Sequence, residues 1–257
     1  MPFPANFQKL HEGEELLRQK SVCAIEASDQ LSAHAALIEC AMDLINYFCL
    51  HHQHRDDDQL TIQLLGIRLF NGAATAMKLL LSGYYQTSAL TQRDLLETAF
   101  LLALFTRDST QIANWRSNSN ARTFKPVNVR KALDDGDGFT EKKREKAYKL
   151  LCTLAGHPSQ DGFRMLTQPG GGAHCGPFFE VTALEAVLSE LAKIIVQATT
   201  AYTRFFEIKT KEDGLMKVAY VETSGRWFQR FFGSTYADEQ VAELRALLGM
   251  FLGSAPK

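Results

Sequence analysis

The sequence predicts an all-α protein, with an antiparallel four-helix core and additional peripheral helices in a single domain, 1–257. Three observations carry this reading. Apolar residues recur at steps of three and four over long segments, the period of one helical face. Of the 257 residues, 46% are hydrophobic, 22% are charged and only 7 are Pro, a composition suited to a packed core. Short links between the periodic segments imply antiparallel neighbours.

The elements follow in chain order. A peripheral helix is expected over 6–27. Over 31–53, Leu31, Ala35, Ile38, Met42, Ile45 and Cys49 form one stripe, the seam of a bundle. Segment 60–82 carries two stripes. One holds Leu60, Leu64, Ile67, Ala74 and Leu81, the other Ile62, Leu65, Leu69, Ala76 and Leu80, so this helix is expected in the middle of the bundle. Asp56, Asp57 and Asp58 precede it, where negative charge suits a helix start. Segment 84–106 is apolar around nearly its whole circumference. Shorter helices are expected at 109–117, 127–134 and 140–155, a peripheral set within 109–155. Thr140 is the expected N-cap of the last and Gly156 its stop. Over 178–206, Val181, Leu184, Leu188, Leu191, Ile195, Ala198, Tyr202 and Phe205 form the longest seam, one able to pair within the chain or between copies. Stretch 207–222 is ambiguous. Asp213-Gly214 is a hairpin signal, yet the same residues read as a helix end and a new start, and helix is preferred. A final periodic pattern, 237–252, closes a peripheral region spanning 215–252.

Charge and sequence signals exclude several classes. With 28 Lys+Arg against 29 Asp+Glu, the chain is neither disordered nor a strongly basic nucleic-acid binder. No unbroken apolar run approaches the ~18–20 residues that span a bilayer. Met1-Pro2-Phe3-Pro4 does not resemble a signal peptide, so a cytoplasmic protein without membrane contact is expected. Cys23, Cys40, Cys49, Cys152 and Cys175 show no CxxC spacing, which argues against a disulfide scaffold or a structural zinc site. His51, His52, His54 and Asp56–Asp58 read as a solvated turn. Asp135-Gly136-Asp137-Gly138 fails as a calcium loop because Phe139 stands where a ligand is needed. Gly170-Gly171-Gly172 lacks the Lys-Ser/Thr of a phosphate loop. No metal and no cofactor are expected.

The sharpest anomaly is Arg93 with Glu97, one turn apart inside the most apolar helix. A charge buried alone would cost several kcal/mol, so each needs the other. The guanidinium either faces a pocket and holds an anion, or fixes helix register. The 156–177 loop, with six Gly and three Pro in its sequence, carries His157, Asp161, His174 and Cys175. Its imidazoles suit acid–base work near neutral pH. A loop this long within a compact domain is the expected site location. Segment 115–150 is locally basic, so Arg116, Arg122, Lys125, Arg130 and Lys131, interleaved with Trp115 and Phe124, form either an RNA-facing patch or a solvated helix face.

Two segments suggest a family. Gly83-Tyr84-Tyr85 leading to Arg93-Asp94-Leu95-Leu96-Glu97 resembles the central helix of a group of uncharacterised bacterial all-helical proteins. Tyr148 to His157-Pro158 is similar to their later helix, which begins with Tyr and ends at His. These proteins are loosely similar to the HEPN superfamily of helical bundles, which includes toxin and phage-defence ribonucleases. The resemblance implies a bundle in which Arg93, Glu97 and His157 approach one another. HEPN ribonucleases place His four to six residues after Arg, a spacing that does not occur here.

The expected function is a binding or interaction module with a pocket near Arg93 and Glu97 under the 156–177 loop, its ligand contacts drawn from Arg93, Glu97, Tyr148, His157 and His174. An alternative is a HEPN-like ribonuclease or phosphoryl-handling enzyme of a toxin or phage-defence system, in which Arg93 binds phosphate, His157 acts as acid–base and the 115–150 patch steers RNA, with Arg93, Glu97 and His157 the candidate catalytic residues. A second alternative is a purely structural homodimer.

Overall fold

Four of the long helices start where a side chain satisfies their first free N–H groups. In the computed structural model, which describes residues 3–168, 170–234, 241–243, 245–246 and 249, α1 is Ala5–Glu26, α2 is Asp29–His51 and α3 is Asp57–Leu81. Ser28 Oγ accepts from Leu31 N at 3.3 Å to open α2, and Asp56 Oδ1 from Gln59 N at 2.8 Å to open α3. Next come α4 (Tyr85–Arg107), α5 (Thr110–Ser117), α6 (Pro126–Gly136) and α7 (Lys143–Leu151). The last runs without a break into a π-helical turn, Cys152–Gly156. A short α8 (Gln160–Phe163) follows, then α9 (Val181–Thr203), whose N-cap Glu180 accepts from Thr182 N at 3.0 Å, and α10 (Lys211–Phe232).

The fold is all-α. Among the described residues there is no named strand, and one isolated bridge joins Thr167 and Ala173. Most of the seam of α9 is consumed inside the chain: Leu184, Leu188, Leu191, Ile195, Ala198 and Tyr202 are buried against α2, α3 and α4, while Val181 at its start is exposed. α3 and α9 approach so closely that a Cβ on Gly66 would stand 2.5 Å from the Tyr202 hydroxyl. α10 packs on α2, where Trp227 Nε1 donates to His34 Nδ1 at 2.9 Å.

Stretch 207–222 takes the preferred helical form from Lys211 onward and not the hairpin, while other expectations are corrected. Thr210 opens α10 with a capping box, its hydroxyl accepting from Asp213 N at 3.1 Å while Asp213 accepts from Thr210 N at 2.8 Å. Gly214 thus lies in the first turn of a helix rather than in a turn between strands. Thr140 does not cap α7, which starts after Lys142 in a left-handed conformation (φ 50°). The two stripes of α3 differ: Ile62, Leu65, Leu69, Ala76 and Leu80 are buried, while Leu60, Leu64 and Ile67 are exposed. α2 and α3 reach mean hydropathies of 1.2 and 1.3 over a membrane-spanning length although polar residues interrupt their apolar runs; both pack within the bundle here. The helix expected over 237–252 lies largely outside the described residues, including Leu244, Leu248 and Phe251 of its apolar stripe, though 241–243 are helical.

Candidate functional site

Arg93 and Glu97 meet as their spacing dictates, with Nη2 of Arg93 donating to Oε1 of Glu97 at 3.2 Å. Both side chains are half-buried, at 29% and 28% exposure, rather than sealed in the core. Their third partner comes from α7. The Tyr148 hydroxyl oxygen accepts from Arg93 Nε at 3.0 Å and from Nη2 at 2.5 Å. Burial pushes the Tyr148 phenol above its ordinary pKa, against the pull of Arg93, and its own hydrogen is shared with Glu97. The phenol therefore stays protonated near neutrality. The guanidinium is occupied by these two partners, and the cluster works as a clamp joining α4 to α7.

The clamp also positions the π-helical turn. An extra residue per turn widens the helix, seen in the bond from His157 N to Cys152 O at 3.2 Å. This brings Gly156 against Arg93, so that a Cβ there would lie 3.7 Å from Arg93 Cδ. Gln86 of α4 supports the same segment from the other side. Its Nε2 donates to Leu154 O at 3.1 Å and to Gly162 O at 2.9 Å, binding the turn to α8.

The two loop histidines stand apart from this cluster's hydrogen bonds. His157 is exposed. His174 is also exposed, with Nδ1 3.3 Å from Gly176 O and its ring 5.6 Å from that of Phe178. The loop is anchored at its end by Gly83, whose φ of 83° only glycine adopts easily and where a Cβ would strike Phe178 O at 2.4 Å.

Under the loop lies a cleft of about 910 Å³, walled by α4, the α7–π segment and α9. Leu150, Leu151, Leu154, Met165, Phe178 and Val187 give it an apolar lining, with Glu180, Glu190 and Lys193 towards its polar edge. Gln92 forms part of its floor. That side chain is fully buried, and its Nε2 donates to Val187 O at 3.0 Å, leaving Oε1 without a hydrogen-bond partner. Arg93 and Glu97 do not line this cleft; Gln92, next to Arg93 on the helix, turns towards it instead. Sequence reasoning missed Gln86 and Gln92. The available signal was two amides among the apolar residues of α4, each needing a partner once buried.

The basic segment does not act as one surface. Arg116 is held by Asp58 and lies 3.9 Å from Asp57. Arg122, Lys125 and Lys131 are exposed, whereas Arg130 is buried and stacks on the Tyr148 ring at 3.8 Å. Among the described residues no three His, Cys, Asp or Glu side chains gather where a metal ion would fit. No family model, curated protein or solved structure matches this chain.

Proposed function

We propose that the protein is a binding module for a small, largely apolar molecule carrying one hydrogen-bond donor, held in the cleft under the 156–177 loop. The observation that carries this reading is an apolar cleft of about 910 Å³ lined in part by Gln92, whose Oε1 is buried without a hydrogen-bond partner. Ligand sites are typically concave, apolar and supplied with few polar groups, and this cleft has that character. A hydroxyl or amide N–H entering it would satisfy Gln92, while apolar atoms cover Leu150, Leu154 and Met165. The Arg93–Tyr148–Glu97 clamp holds the α7–π wall in place without touching the ligand.

Calorimetric titration with 2-naphthol and 2-methoxynaphthalene tests the proposal, since methylation removes the donor and adds only one methyl group. The naphthol is expected to bind roughly tenfold more tightly, the worth of one hydrogen bond. Gln92→Met is expected to erase that difference, and Ala186→Trp, at an exposed position on the cleft wall, to block both probes. Absence of saturable binding, or binding indifferent to Ala186→Trp, would overturn it.

A second reading, self-association, draws on the exposed stripe of α3, where Leu60, Leu64 and Ile67 are 36%, 56% and 44% exposed at helical spacing. Light scattering of the native chain against Leu64→Glu decides it. A dimer that Leu64→Glu dissociates supports this reading, and a monomer at all concentrations removes it.

A further inference from the structure

A second pocket, of about 660 Å³, lies between α6 and α7, away from the apolar cleft. Its wall contains Arg130, which is 7% exposed and whose Nε and Nη1 are buried without a hydrogen-bond partner. A guanidinium stays charged at every accessible pH, so it cannot shed the burden of burial by losing a proton. Among the described residues no carboxylate pairs with it within 4.0 Å; the face of the Tyr148 ring lies against it, and Glu145 is near enough to feel its charge.

Three carboxylates line the same pocket: Asp134 accepts from Arg144 at 2.7 Å, Glu145 pairs with Lys149 at 2.7 Å and with Lys142 at 4.0 Å, and Asp135 is exposed at the rim. Two further cations, Lys131 and Lys142, border the same pocket. Lys142 is the one non-glycine residue with positive φ among those described, a strained conformation placed at the pocket rim. A buried, permanent and unpaired cation beside two flexible ammonium groups is the arrangement that an incoming anion completes.

We propose that this pocket binds the oxyanion group of a small molecule, with Arg130 as the fixed cation and Lys131 and Lys142 closing over it. At 7% exposure Arg130 lies below the reach of a polymer crossing the surface, which favours a compact ligand. The site is independent of the apolar cleft and stands or falls separately from it.

The test is calorimetric titration of the full chain with pyrophosphate and with citrate at constant ionic strength. Saturable binding of one or both is expected. Pyrophosphate alone assigns a phosphorylated ligand and citrate alone a polycarboxylate. Arg130→Met keeps the volume stacked on Tyr148 and removes the charge, so it is expected to weaken binding at least tenfold. Without anion, its melting temperature is expected to equal or exceed that of the native chain, because no uncompensated charge remains. Should Arg130→Met fail to fold, Lys131→Gln with Lys142→Gln carries the test, with a loss of roughly tenfold expected from the pair. No saturable binding of either anion at millimolar concentration overturns the proposal. So does unchanged affinity in the variants, or single-stranded RNA binding more tightly than pyrophosphate and ignoring Arg130→Met.

Discussion

Lowering the pH is expected to destabilise the fold through His34. This histidine is buried between α2 and α10, its ring stacked on Phe231 at 4.2 Å and its Nδ1 accepting from Trp227 Nε1 at 2.9 Å. Accepting there places the single ring proton on Nε2, and a second proton would face an indole N–H that already points at the ring. Burial pushes its pKa down from 6.5 to about 4, with Lys193 and Arg230 acting in the same direction. In the unfolded chain His34 titrates near ~6.5, so below that pH the unfolded state takes the proton first. The contribution is complete above pH 6.5, falls as pH drops towards about 4 and is constant below. Across that span it amounts to at most about 3 kcal/mol, of which about 2 kcal/mol is gone by pH 5. His52, whose pKa burial also lowers, adds a loss of the same sign. Urea unfolding of the native chain and of His34→Gln at pH 7.5, 6 and 5 measures the effect, since glutamine offers Trp227 an acceptor and does not titrate. The native chain is expected to lose about 2 kcal/mol more than the variant between the extremes. Equal losses in the two proteins would refute the assignment.

Other perturbations test the packing. Gly66→Ala forces a methyl group against the Tyr202 hydroxyl, and thermal unfolding is expected to show a loss of about 1–3 kcal/mol. Thr210→Ala removes half of the capping box of α10 and is expected to lower stability by about 1 kcal/mol in the same assay. Arg93→Ala leaves Glu97 and Tyr148 without their shared donor, a loss of about 1–2 kcal/mol for groups still partly reached by solvent. Hydrogen exchange of that variant is expected to quicken over 148–156 while α9 stays protected; uniform protection would show that the clamp does not hold the π-helical turn.

The long helices were legible because their burial follows a simple period. Leu184, Leu188, Leu191 and Ile195 in α9 face a core on the side their spacing marks. Arg93 and Glu97 were legible as a pair because one helical turn separates them. Periodicity failed where it marked a face without saying what covers it: Leu60, Leu64 and Ile67 repeat as regularly as the buried stripe beside them, yet face outwards. At 210–214, the hairpin signal of Asp213-Gly214 competed with a capping box whose Thr and Asp stand three apart, and the helix start prevailed. The anion pocket was illegible for another reason. Arg130 belongs to a run of basic residues that reads as a wet surface, and only its stacking on Tyr148, distant along the chain, takes it inside. The floor of the apolar cleft likewise depends on Gln92 meeting the backbone of α9, a contact between segments far apart along the chain.

The wide turn at Cys152–Gly156 makes the bearing of everything after it a matter of residue count. Deleting one residue there would restore ordinary winding and swing the following chain by about 100° around the helix axis. His157 would then point to a different quadrant, and Met165 and Thr167 would no longer line the cleft. A one-residue change of length at this point would therefore act as a steering adjustment, redirecting the loop while leaving the bundle beneath it intact.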